Sequence, residues 1–113
     1  MGYIRIMTET IYEYSHDKNQ QLIEKRNISF EEVVSALENG QLLDIIEHPN
    51  KSKYPNQKMY VVQVNDYVYL VPFVEKNKQT VFLKTIFASR KAKKHYIQQW
   101  GVLWKAKNLI PMR

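Results

Sequence analysis

The chain contains no cysteine. A disulfide framework, a thiolate metal site and a cysteine nucleophile are therefore excluded, and the composition suits the reducing cytoplasm. Glycine is scarce. Gly2, Gly40 and Gly101 stand far apart, so no glycine-rich loop is available to cradle a phosphate. No segment approaches the ~18 consecutive apolar residues of a membrane span. Arg5, Glu9 and Glu13 interrupt MGYIRIMTETIYEY where a secretory signal would be apolar. A membrane partner is not expected. His16 and His48 lack companions at ligand spacing, so neither a metal nor another cofactor is expected. There is no internal repeat and no serine-triad signature.

The most informative shortage is of acid. Residues 76–113 carry 10 Lys and Arg and no Asp or Glu, whereas residues 1–75 carry 7 basic and 11 acidic residues. The net charge of +6 is thus a mildly acidic first part followed by a strongly basic last third. Such asymmetry points to an anionic partner for that third: nucleic acid or an acidic protein, ahead of a membrane surface.

What is present fits one domain over residues 1–113: 44% of the residues are hydrophobic, enough for a core. A short strand is expected within residues 3–14. DKNQQLIEKR predicts a helix from Asp17 to Arg26, capped by Ser15 or Asp17 and broken at Asn27. Ser29 and Glu32 form a capping-box pattern, and Phe30, Val33, Val34 and Leu37 then share one helical face. Gly40 ends this second helix. QLLDIIEH, KMYVVQVN, YVYLVPFVE and TVFLKTIF read as four strands, the middle two joined by a two-residue turn at Asn65 and Asp66. Pro72 inside the third of these implies an edge position or a bulge. Ser89 caps a last helix from Arg90 to about Lys107, with Ala92, Tyr96, Trp100, Leu103 and Trp104 at helical spacing. The fold class is therefore α+β. Two N-terminal helices pack on a four-stranded antiparallel sheet, a C-terminal helix follows, and the second face of the sheet stays partly open.

Two stretches carry a family resemblance. YEYSHDK resembles F-E-W-D-x-x-K, and KRNISFEEV resembles K-H-G-V-S-F-E-E-A. LKTIFASRKAKKHY resembles a strand with a basic residue followed by S-A-R-x-A-x5-Y. Taken in order over residues 12–96, the chain resembles BrnT-type toxins of bacterial toxin–antitoxin pairs, within the RelE-like ribonuclease superfamily. Lys18, Lys25, Ile28, Ser29, Phe30, Glu31 and Glu32 fall on matching positions, and Lys84, Arg90, Ala92 and Tyr96 are the counterparts in the last stretch. Arg26, Asn27 and Ser15 stand where the family has histidine, glycine and aspartate, and the tail of residues 97–113 has no counterpart.

The resemblance implies a metal-independent endoribonuclease (an mRNA interferase) that blocks translation and is neutralised by a cognate antitoxin. Its RNA is free or ribosome-bound mRNA. Attack of a 2′-hydroxyl on phosphorus needs a proton acceptor, cations for the phosphorane oxygens and a proton for the leaving oxygen. Candidate catalytic residues are Arg90, whose guanidinium fork matches phosphate, Lys84, His95 and Tyr96. Candidate RNA contacts are Lys58, Lys91, Lys93 and Lys94. Glu31 and Glu32 are explained by helix capping. Trp100, Trp104, Leu109 and Ile110 either cover the domain's own sheet or form a patch for the antitoxin or for a second copy in a homodimer. Two alternatives stand beside the enzyme. One is a non-enzymatic RNA- or DNA-binding module with Tyr67, Tyr69, Phe73 and Phe82 as a stacking platform. The other is an inactive toxin relative that only pairs with its antitoxin.

Overall fold

A computed structural model describes residues 9–98. Strand β1 (Ile11–Tyr14) leads into helices α1 (His16–Arg26) and α2 (Phe30–Glu38). Strands β2 (Leu42–Glu47), β3 (Lys58–Val64), β4 (Tyr67–Glu75), β5 (Thr80–Leu83) and β6 (Phe87–Ala88) follow. One turn of helix, α3 (Arg90–Lys93), then widens into a π-helical turn over Lys94–Gln98.

The helical hairpin forms as its caps dictate. The Ser15 hydroxyl accepts from the Lys18 amide, and Asn27 closes α1 in the left-handed conformation. At the start of α2, Ser29 accepts from the Glu32 amide while the Glu32 carboxylate accepts from the Ser29 amide. Between the two helices the buried Asn19 side chain serves both directions. Its oxygen accepts from the Phe30 amide at 2.7 Å and its nitrogen donates to Glu31 at 2.8 Å. A left-handed Gly40 turns the chain out of α2.

Strands β2 to β5 form the expected antiparallel meander, and the β3–β4 turn is the two-residue one at Asn65 and Asp66, with Val64 opposite Tyr67. The sheet nevertheless departs from four antiparallel strands. It has six and is mixed, in the order β1-β5-β4-β3-β2, with β6 also paired to β4. β1 adds to β5 in parallel, Ile11 opposite Thr80 through Tyr14 opposite Leu83. The last predicted strand splits, because residues 84–86 leave the ladder between β5 and β6. Pro72 explains the split. β4 is an interior strand, not an edge, and the Pro72 carbonyl accepts from the Lys84 amide. A residue's N and O point the same way in a strand, so the missing Pro72 N–H faces the neighbour that has broken off. The irregularity falls on the partner strand.

The main core lies between the helices and one sheet face. Leu22, Ile28, Phe30, Val33 and Ala36 pack against Tyr60, Val62, Val64, Val71, Phe73, Val81, Leu83 and Ile86. Tyr60 stacks on Phe73 with ring centroids 3.9 Å apart, and Tyr14 stacks on Phe30 at 4.8 Å. Arg26 at the end of α1 donates to the Ile86 carbonyl and so ties the helix to the broken strand. The second face carries a smaller cluster in which Ala92, Tyr96 and Ile97 pack on Val61, Val68, Leu43, Ile46 and Leu70. That face is therefore partly covered by the chain's own C-terminal turns. The predicted final helix is described only to Gln98; Trp100, Gly101, Leu103, Trp104, Leu109 and Ile110 lie outside the described residues. Among the described residues, no helix is long and apolar enough to cross a membrane.

Candidate functional site

Between the second sheet face and the C-terminal turns lies a cleft of about 490 Å³. Its floor is Met59, Val61 and Leu70, its far wall Ile46 and Pro49, and its near wall Ser89, Lys91, Ala92, Lys94, His95 and Tyr96. Apolar alternation on β3 and β4 makes the floor. The basic run after Ser89 makes the near wall, because Ser89 accepts from the Ala92 amide and starts the helix there. Ala92, one turn before Tyr96, then faces the sheet, and Lys94 and His95 between them reach the rim. The lining holds two lysines and a histidine and no carboxylate.

Of the eight candidates, Lys91, Lys94, His95 and Tyr96 meet at this cleft. Arg90 is exposed at the first position of α3 and is not part of the lining. Lys93 places its Nζ 4.7 Å from the centre of the Tyr67 ring, a cation–π contact. Lys84 is exposed just past β5, on the cleft side by alternation from the buried Leu83. It does not share a face with both Phe82 and Ile86. The break at 84–86 turns Ile86 into the main core beside Leu83. Lys58 pairs with Phe73 and so belongs to the helix-covered face, at its open end beside Glu47.

The aromatic platform of the binding alternative is not assembled. Phe73 is buried in the main core, Tyr69 packs against that core, and Phe82 pairs with Val74 on the other face. Tyr67, Tyr69 and Phe73 share the helix-covered face and Phe82 lies on the other, so the four cannot line one open surface.

Tyr96 has a partner that sequence reasoning missed. Its hydroxyl donates to Asp44 Oδ2 at 2.6 Å. The hydrogen bond to that carboxylate, then burial, then the carboxylate's charge, push the Tyr96 phenol up to about 12. His95 meets the Tyr96 ring edge-on, with centroids 4.7 Å apart. On the opposite side of the molecule, Asn19 holds the Glu31 carboxyl below the usual carboxylate range, and Tyr14 and Ser29 add smaller contributions. Glu31 is thus an anchored helix-start carboxylate, in keeping with the capping role. Among the described residues, no three His, Asp or Glu side chains converge as metal ligands would.

No protein-family model and no curated protein matches the chain. The fold is similar to that of the crystal structure of the Brucella abortus ribonuclease toxin BrnT, with a TM-score of 0.52 and 13% sequence identity. The alignment covers 71% of this chain and 97% of that one. The resemblance to BrnT-type toxins carried by the motifs therefore extends to the fold.

Proposed function

We propose that the protein is the toxin of a toxin–antitoxin pair and acts as an endoribonuclease at the cationic cleft. One observation supports this reading above the others. On a sheet similar to that of a ribonuclease toxin, the acid-free C-terminal run sets Lys91, Lys94, His95 and Tyr96 around a single concave surface.

Such a surface suits a polyanion whose bases prefer an apolar floor. Lys91 and Lys94 hold phosphates at the rim. Arg90, exposed at the helix start, clamps the scissile phosphate through paired N–H groups, and Lys84 adds positive charge on the same sheet face. The His95 imidazole exchanges a proton at one end of the reaction, from the 2′-hydroxyl or to the departing 5′-oxygen, and water serves the other end. The new bond joins the 2′-oxygen to phosphorus and the bond from phosphorus to the 5′-oxygen breaks. The products are a 2′,3′-cyclic phosphate and a 5′-hydroxyl. Lys93 and Lys58 lie outside the cleft and contribute to RNA binding at longer range. An antitoxin that is acidic over its contact segment would compete for the same cations, and RNA in the cytoplasm would be the target when it is lost.

Induced expression of wild type and Arg90→Ala in a bacterial host tests the reading. Growth arrest with new RNA 5′-ends is expected for wild type only. Equal growth and no new ends for both would refute it. A pure binding module behaves differently: Arg90→Ala then weakens RNA affinity uniformly, and no RNA ends appear with either chain.

A further inference from the structure

Strand β2 contains a register shift between Leu42 and Asp44. Leu42 lies opposite Val62, yet Asp44 lies opposite Val61, so one extra residue has entered the strand. Without it, Asp44 would face Tyr60 and the main core. With it, Asp44 shares the face of Val61, the face on which Ala92, Tyr96 and Ile97 pack. The Tyr96 hydroxyl meets it there at 2.6 Å. The second carboxylate oxygen, Oδ1, accepts from the Ile45 amide at 2.7 Å, which fixes the rotamer. Tyr96 in turn sits in the π-helical turn Lys94–Gln98, an uncommon geometry that sets the direction of the side chains it carries. A bulge on the edge strand and a widened turn near the chain's other end thus converge on one hydrogen bond.

We propose that Asp44 is a positioning residue of the cleft. It holds the Tyr96 hydroxyl and thereby fixes the turn that presents Lys94 and His95. Tyr96 then serves as a strut, not as the proton donor, since its hydroxyl is committed to a carboxylate that gains nothing from releasing it. The proposal rests on the ribonuclease reading for its functional consequence, and its structural half stands independently of that reading.

The test combines three measurements on the full chain, with circular dichroism confirming that each variant folds; Asp44 is exposed, so its removal leaves the core intact. In RNA cleavage, Asp44→Ala and Tyr96→Phe should each lose about 10-fold and the double variant no more than either, the mark of one shared contact. Asp44→Asn, which still accepts from the hydroxyl, should stay within about 3-fold of wild type. In hydrogen exchange at neutral pH, residues 90–98 should exchange about 10-fold faster in Asp44→Ala. In tyrosinate absorbance, the step lost in Tyr96→Phe should move down towards the ordinary tyrosine range in Asp44→Ala. If Tyr96 is instead the acid, Tyr96→Phe alone abolishes cleavage and Asp44→Ala does not, which overturns the proposal. Additive losses, or unchanged exchange and titration in Asp44→Ala, overturn it as well. A wild type that cuts no RNA refutes the ribonuclease reading, and the exchange and titration then decide the latch by themselves.

Discussion

Asn19 is one of the few buried polar side chains among the described residues, and both ends of its amide are used. Replacing it with alanine leaves the Phe30 amide without its acceptor inside the protein and releases Glu31. We expect Asn19→Ala to lower the unfolding free energy by about 2–3 kcal/mol in urea titration, because a buried unpaired donor costs more than a typical hydrogen bond gains. Tyr60 makes a second prediction at this scale. Burial, then the charges of Tyr12 and Glu75, push its phenol up to about 12. The folded value lies above the unfolded one near 10, so the stabilisation is complete below pH ~10 and is lost as pH rises towards about 12. Wild type should therefore lose on the order of 2 kcal/mol across that window. Tyr60→Phe should lose less. Equal alkaline profiles for the two would contradict the assignment. Residues of this kind are poorly legible in sequence. Asn19 reads there as an ordinary polar position in a helix, and Asp44 as an ordinary strand-edge charge. Their roles come from partners 11 and 52 residues away.

Elements divide by the range of the interactions that make them. The capping box at Ser29 is local, and it was readable because its two hydrogen bonds join residues three apart. Ser29→Ala should cost about 1 kcal/mol in thermal or urea unfolding. The helical hairpin, the four-strand meander and the turn at Asn65 were readable for the same reason. The parallel addition of β1 to β5 was not, since Ile11 and Thr80 are distant in sequence and a parallel register has no turn to announce it. The split of the last strand was half legible. Pro72 signalled an irregularity, but alternation cannot say whether the proline's own strand or its neighbour gives way. The β2 bulge left no mark in LLDIIE, and with it went the link between Asp44 and Tyr96. A single inserted residue reverses every later side chain on the strand, which is why the sequence shows the cleft only as a basic run on an open face.

Across the whole molecule, the charge asymmetry was plain in the sequence, and it survives folding as a cation-lined cleft behind a sheet whose other face carries the helices. Which side chains meet there was only partly legible: Lys91, Lys94, His95 and Tyr96 converge, while Lys58 falls on the opposite face because strand parity assigns it there. Binding of RNA to such a surface should weaken steeply with salt, each phosphate contact releasing about one counterion. Lys91→Ala with Lys94→Ala should flatten that slope by about 1–2 in filter-binding titrations, and an unchanged slope would place the RNA elsewhere.

The role proposed for these side chains is cleavage of RNA by its own 2′-hydroxyl. Incubation of the purified protein with an end-labelled single-stranded RNA, followed by analysis of the new termini, tests it most directly. Cleavage by that route leaves 2′,3′-cyclic phosphate and 5′-hydroxyl ends, spares the same RNA carrying 2′-O-methyl groups, and falls at least ~100-fold with Arg90→Ala while binding stays measurable. Intact RNA after incubation with wild type, or 5′-phosphate ends, would contradict it.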